Sequence, residues 1–173
     1  LRGNAAPQTI AATRAALLQR DGDVVAEDGV SPIALLAPAG MYRVAVRHRN
    51  HLGAMTSNGF ALTTASTPID FTSIALGLNG TEPTRTVGSI RTLWSGNAMR
   101  DAELKYTGAN NDRDPILVAV GGSVPTATAV GYRLEDVNMD GTTKYTGAGN
   151  DRDPILVNVG GSVPTSVRSE QLP

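Results

Sequence analysis

Three hard-oxygen side chains stand at every second residue near the end of the chain: Asp136, Asn138 and Asp140, with Gly141 directly after. Alternate side chains of a tightly coiled loop converge on one point, and the glycine permits the sharp turn that closes it. This is the D-x-[DN]-x-[DN]-G opening of a calcium loop, in which the residue after the glycine turns its main-chain carbonyl to the ion. Thr142 is that residue here. A standard loop closes with a carboxylate at its twelfth position, which is Gly147 when counted from Asp136. The next acids are Asp151 and Asp153, so the loop reads as carrying an insertion, "YTGA", ahead of its closing acids. Asp151 is the first candidate for the closing ligand and Asp153 the second. Both precede or open "PILVNVGG", a predicted short helix with proline near its start and glycine at its stop. An acid in the first helical turn can cap the helix and close a metal cage together.

The phrase is written twice. Lys105–Thr126 and Lys144–Thr165 differ only at Asn110/Gly149 and Ala119/Asn158. The opening of the first copy is poorer in ligands: Asn97, Met99 and Asp101 fill the alternating positions, Ala102 replaces the glycine and Glu103 stands where Thr142 does. A thioether is a soft, poor ligand for calcium. Asp112 and Asp114 remain as closing acids. One calcium ion is therefore expected in the second loop, and a second only if water or main-chain oxygens complete the first.

The rest of the chain must hold this pair. "MYRVAVRHR" alternates, with Tyr42, Val44, Val46 and His48 on one side and Met41, Arg43, Ala45, Arg47 and Arg49 on the other. That is the period of a half-buried antiparallel strand with its arginines outward. "SPIALLAPAG" is read as a strand and turn before it, and "GFALTTASTPIDFTSI" as two strands after it. "TIAATRAALLQRDGDVV" has a helix former's composition, but "RDGD" followed by two valines favours a hairpin. Short strands at this spacing predict a small β-sandwich over residues 1–80, a linker over 81–92 and a duplicated loop–helix module over 93–173, with repeats of about 94–131 and 133–170. Trp94, the single tryptophan, is expected at the junction of the two parts. "LRGN" reads as the end of a strand whose earlier part is missing, which would leave a sheet edge open.

Composition narrows the function. A formal net charge of -1 gives no basic footprint for nucleic acid, and no apolar run approaches the length of a membrane span. Cysteine is absent, so disulfides and thiolate metal sites are excluded. Aromatic residues are only 4% of the chain, so each part has a thin core for which a bound ion would be a staple. His48 and His51 are the two histidines, and without a third ligand they read as a turn rather than a zinc site. Asn79-Gly80-Thr81 fits a glycosylation acceptor pattern. There is no nucleophile–base pair and no phosphate-cradling loop, so an enzyme is not expected.

The loop–helix units resemble the duplicated calcium modules of dockerins. The phrases "KYTGANNDRDPILVAVGGSVPT", "LEDVNMDG" and "KYTGAGNDRDPILVNVGGSVPT", with "ATRAALLQRDGDVV" and "YRVAVRHRNHLGAMT" upstream, are similar to the C-terminal regions of large secreted and cell-surface proteins of Bacteroidota. The resemblance implies a mainly β protein with short helices: a prealbumin-like or carboxypeptidase-regulatory-like sandwich, then a dockerin-like calcium pair, outside the cell. It implies a non-catalytic structural or anchoring role. Expected partners are other chains of the same protein or a cell-envelope protein, with glycans a further possibility. A filament subunit completed by strand exchange, and a dockerin-like protein- or glycan-binding module, are the alternatives.

Overall fold

The computed structural model describes residues 1–6 and 8–173. It is mainly β, built from small antiparallel sheets and two short helices. Among the described residues no helix is long and apolar enough to cross a membrane.

The first half is made of very short strands: β1 (Arg2–Gly3), β2 (Leu17–Leu18), β3 (Val24–Val25), β4 (Gly40–Arg43), β5 (Ala45–Val46), β6 (Ala54–Met55) and β7 (Phe60–Leu62). β4 lies between β1 and β7 in a three-stranded sheet, β2 pairs with β3, and β5 pairs with β6. The hairpin expected at "RDGD" forms, with Leu17 opposite Val25. "MYRVAVRHR" is not one strand. It breaks at Val44, where the Thr56 hydroxyl accepts the Val44 N–H at 3.1 Å and the Thr56 N–H returns to the Val44 carbonyl at 2.9 Å. Past this break the alternation fails, and Arg49 turns inward while Arg47 stays exposed.

"SPIALLAPAG" contributes only its last residue to a strand. Pro32 and Pro38 lack the N–H a ladder needs, and Leu36 stands fully in solvent. The strand expected after Pro68 is replaced by turns. The Asp70 carboxylate accepts both the N–H and the hydroxyl of Thr72, which diverts the chain. The expected linker holds a hairpin instead, β8 (Arg85–Val87) against β9 (Ile90–Thr92).

The two copies of the repeated phrase fold alike. The first gives β10 (Glu103–Lys105), α1 (Arg113–Ala119) and β11 (Thr128–Val130); the second gives β12 (Thr142–Lys144), α2 (Arg152–Val159) and β13 (Val167–Ser169). Each helix is started by the asparagine before its acid. Asn150 accepts the Asp153 N–H at 3.0 Å and donates its amide to the Asp153 carboxylate at 2.8 Å, and Asn111 does the same with Asp114 at 3.1 and 2.8 Å. The bond to the first-turn N–H is that of a capping box, but the return bond comes from the asparagine side-chain amide instead of a backbone N–H, one residue ahead of Asp112 or Asp151. Pro115 and Pro154 sit in the first turn, where a missing N–H costs nothing. At the other end the Gly161 N–H reaches the Leu156 carbonyl at 2.8 Å, with Gly160 at φ 128°, a conformation that favours glycine.

The copies are interlocked. β10 pairs with β13 and β11 with β12, so each copy's first strand is matched to the strand that follows the other copy's helix. Thr107 donates to the Pro164 carbonyl at 3.0 Å, and Thr146 to that of Pro125 at 2.9 Å, repeating the relation. The core between them is Leu104, Ile116, Val137, Ile155 and Val159, joined by Trp94 and by Leu52 from the first half. Gly96 fits only because it lacks a Cβ, which would stand 2.9 Å from side-chain carbons of both Ile155 and Leu104.

Candidate functional site

The second loop winds around its own carboxylates. Asp136 is buried, and its two oxygens accept the N–H groups of Asp140 and Gly141, each at 3.1 Å. Asn138 accepts the Asp140 N–H at 2.9 Å, and Asp140 accepts the Thr142 N–H at 2.8 Å. Each of these closes a short side-chain-to-backbone turn of the sort Asp and Asn favour. Gly141 has φ 86°, which lets its N–H turn towards Asp136.

Asp151 closes the loop from the helix. Its carboxylate is fully buried and accepts three N–H groups: Val137 at 2.7 Å, Asn138 at 3.1 Å and Lys144 at 2.7 Å. Burial pushes its pKa up, and the facing Asp136 charge pushes in the same direction, against the lowering effect of those N–H bonds. Asp136, Asn138, Asp140 and Asp151 are thus brought to one loop. Thr142 begins β12, opposite Val130. Asp153 is placed elsewhere: exposed, and engaged with the Asn150 cap.

The first loop keeps the frame and loses part of the wiring. Asp112 is fully buried and accepts the N–H groups of Met99 at 3.0 Å and Lys105 at 2.8 Å. Burial raises its pKa to about 6, and the Asp101 charge adds to that rise. Asn97 accepts the Asp101 N–H at 3.1 Å but gives its amide to the Asp101 carbonyl at 2.7 Å. At the matching position of the second loop, an N–H points inward instead. The peptide after Asp101 is therefore turned the other way, in keeping with Ala102 in place of glycine and a donor-bearing amide in place of Asp136. Glu103 is paired with Lys105 rather than with the loop, and Asp114 with the Asn111 cap.

No family model, curated protein or solved structure matches the chain.

The donor set of the second loop, three carboxylates and an amide oxygen, is of the hard-oxygen chemistry that calcium takes. Among the described residues, no three His, Asp or Glu side chains are gathered as tightly as a metal ion's ligands; Asp136 and Asp151 accept backbone N–H groups instead. Among the described residues, the cation paired with a carboxylate of this loop is Arg49, whose guanidinium lies 3.5 Å from Asp136 and 3.9 Å from the centre of the Tyr132 ring.

Next to it, Asn50 is fully buried and ties both loops together. Its side-chain amide donates to the carbonyls of Leu134 at 2.9 Å and Asp136 at 2.8 Å, while its main-chain carbonyl accepts the N–H groups of Gly96 and Asn97, both at 2.9 Å. His51 follows, with its Nδ1 2.8 Å from that of His48 and burial holding its pKa down to about 3. Sequence reasoning missed Arg49 and Asn50, because their strand pattern assigned the arginine to solvent. It also missed Asn111 and Asn150 as caps, although an Asn three residues before an acid, just ahead of an apolar run, is a usable signal.

Both differences within the repeated phrase have a structural reason. Asn110 and Gly149 share a left-handed backbone, φ 56° and 66°, which these two residue types tolerate best. Asn158 is buried, donating to the Ser95 carbonyl at 2.8 Å and accepting from Arg85 at 2.8 Å. Ala119, at the equivalent place in α1, has no such polar neighbours among the side-chain hydrogen bonds of the described residues.

Proposed function

We propose that this chain is a non-catalytic structural module, stabilised by calcium at its second repeat loop, that anchors or links a larger protein outside the cell. The observation that carries the reading is the buried pair of acids in one loop, Asp151 facing Asp136, where burial and the Asp136 charge both disfavour the ionised form of Asp151. A bound divalent cation relieves that repulsion and the burial penalty together. Asp136, Asn138, Asp140, Asp151 and the Thr142 carbonyl are the ligand set, and the second loop is the better site because its glycine permits the inward N–H. Extracellular calcium in the millimolar range fills even a weak loop of this class. The absence of cysteine and the near-neutral charge agree with a module held by an ion rather than by disulfides or by an acidic or basic partner. The first eighty residues are read as a sandwich-type β unit and the last eighty as a dockerin-like pair.

Calorimetric titration tests this. Asp140→Ala and Asp151→Ala should each abolish calcium binding at the second loop, and Asp101→Ala should change it little. Unchanged binding in both second-loop variants would defeat the ligand assignment.

One observation favours assembly as a second role. Among the described residues of the first forty-nine, Val25 is the one buried apolar side chain, while Ile10, Leu17, Leu18, Val24, Val30, Leu36 and Met41 are exposed. So thin a layer gains from being covered, which fits a filament subunit or a partner-binding module. Electron microscopy of concentrated native protein separates filaments from monomers.

A further inference from the structure

The calcium loop has a positive charge built into it from the other half of the molecule. Arg49 lies beside Asp136 at 3.5 Å, a long contact that makes an ion pair rather than a tight hydrogen bond. Its side chain is mostly buried, and its Nε has no hydrogen-bond partner among the described residues. What fixes it is not the carboxylate alone. The guanidinium stacks on Tyr132 at 3.9 Å, and the next residue, Asn50, is pinned to the carbonyls of Leu134 and Asp136. The arm therefore stands over the first ligand position by construction.

We propose that Arg49 is the resident cation of the second loop and sets its calcium affinity by competing with the ion for Asp136. This deepens the calcium reading and rests on it. A guanidinium and a divalent ion on one carboxylate repel each other, and a mostly buried position weakens the screening. When calcium occupies the loop, Arg49 gives up Asp136 and keeps its stack on Tyr132.

The test is calcium titration of the full chain by calorimetry, for the parent protein and three variants, with circular dichroism as the check on folding. Arg49→Met keeps the stem and removes the charge, and should raise affinity about tenfold. Arg49→Lys keeps the charge, and should stay within about threefold of the parent. Tyr132→Leu, at a ring that is 84% exposed, frees the guanidinium to swing to solvent and should raise affinity about threefold without unfolding the chain. If Arg49→Met does not fold, the Tyr132 variant decides. Equal or weaker binding in Arg49→Met and Tyr132→Leu, with the parent still binding, overturns the role of Arg49 alone. If neither the parent nor any variant takes up calcium at millimolar concentration, the calcium reading of the loop falls, and this proposal with it.

Discussion

Two side chains show how burial without a counter-charge becomes a pH dependence. In the folded chain Asp112 has its pKa raised to about 6 and His51 has its pKa lowered to about 3. Between the ordinary carboxylate range and pH 6 the folded state binds the Asp112 proton more tightly than the unfolded state does. This contribution therefore strengthens folding as the pH falls through that window. His51 works the other way. Below its ordinary pKa the unfolded chain takes up a proton that the folded chain refuses, so stability is lost as the pH falls from about 6.5. Asp151, also raised by burial, acts with Asp112, and His48, also lowered by burial, acts with His51; the two sets oppose each other, and the parent protein in chelator should vary little in stability between pH 6 and 4.5. Replacing His51 with Gln should expose the Asp112 effect as a melting temperature that rises on acidification. Carboxyl-resolved NMR should place the Asp112 midpoint near 6; an ordinary carboxylate midpoint there would show that the first loop is open to water.

At the scale of elements, the short helices are made by their caps. An isolated helix of this length does not persist in water, so Asn150 and the packing of Ile155 have to supply what propensity lacks. Asn150→Ala should lower stability by about 1 kcal/mol in chemical denaturation. Asp153→Ala should cost less and leave calcium binding intact, since its carboxylate meets the Asn150 amide rather than the loop. Loss of binding in Asp153→Ala would restore it as a ligand. The helices, their proline starts and glycine stops, and the alternating acids of the loop were all legible in the sequence, because each depends on residues within one or two turns of chain. The strands of the first half were not. "SPIALLAPAG" is apolar without a partner strand, and "MYRVAVRHR" alternates correctly until Thr56, a residue distant in sequence, cuts it at Val44. Spacing ranked Asp151 ahead of Asp153 as the closing acid, and in the structure Asp151 faces the loop N–H groups while Asp153 is held by Asn150.

For the molecule as a whole, the placement of Leu52 matters most. The residue precedes the repeats by some forty positions, yet it is fully buried in their core, and Glu170 near the end of the chain returns to accept the Gly53 N–H at 2.8 Å and to pair with Arg47 at 2.7 Å. The division of the chain near residue 80 read from the sequence would let the repeats unfold alone when calcium is removed. The contacts instead predict that chelation loosens residues 47–56 together with the repeats. Limited proteolysis followed by mass spectrometry should show new cuts near Gly53 as well as near Gly108 and Gly147. Leu52→Ala should destabilise the repeats by about 2–5 kcal/mol. Cuts confined to the repeats would mean that the two halves come apart as separate bodies.

The crossed pairing of β10 with β13 and of β11 with β12 gives the repeat region the connectivity of a two-fold homodimer written into one chain. Covalent fusion replaces a dependence on dilution with an effective concentration fixed by the short connection between the units. A fragment carrying only residues 93–131 has a strand on each side with nothing to pair with, and should self-associate in sedimentation experiments as the concentration rises. Fusion also ends the requirement that both partners be the same. A change in a homodimer appears in both subunits at once, whereas here α2 carries Asn158, which holds Ser95 and Arg85, while α1 carries alanine at that place. The same freedom lets one loop carry Gly141 and Asp136 where the other carries Ala102 and Asn97, so that a symmetric frame has two unlike ends.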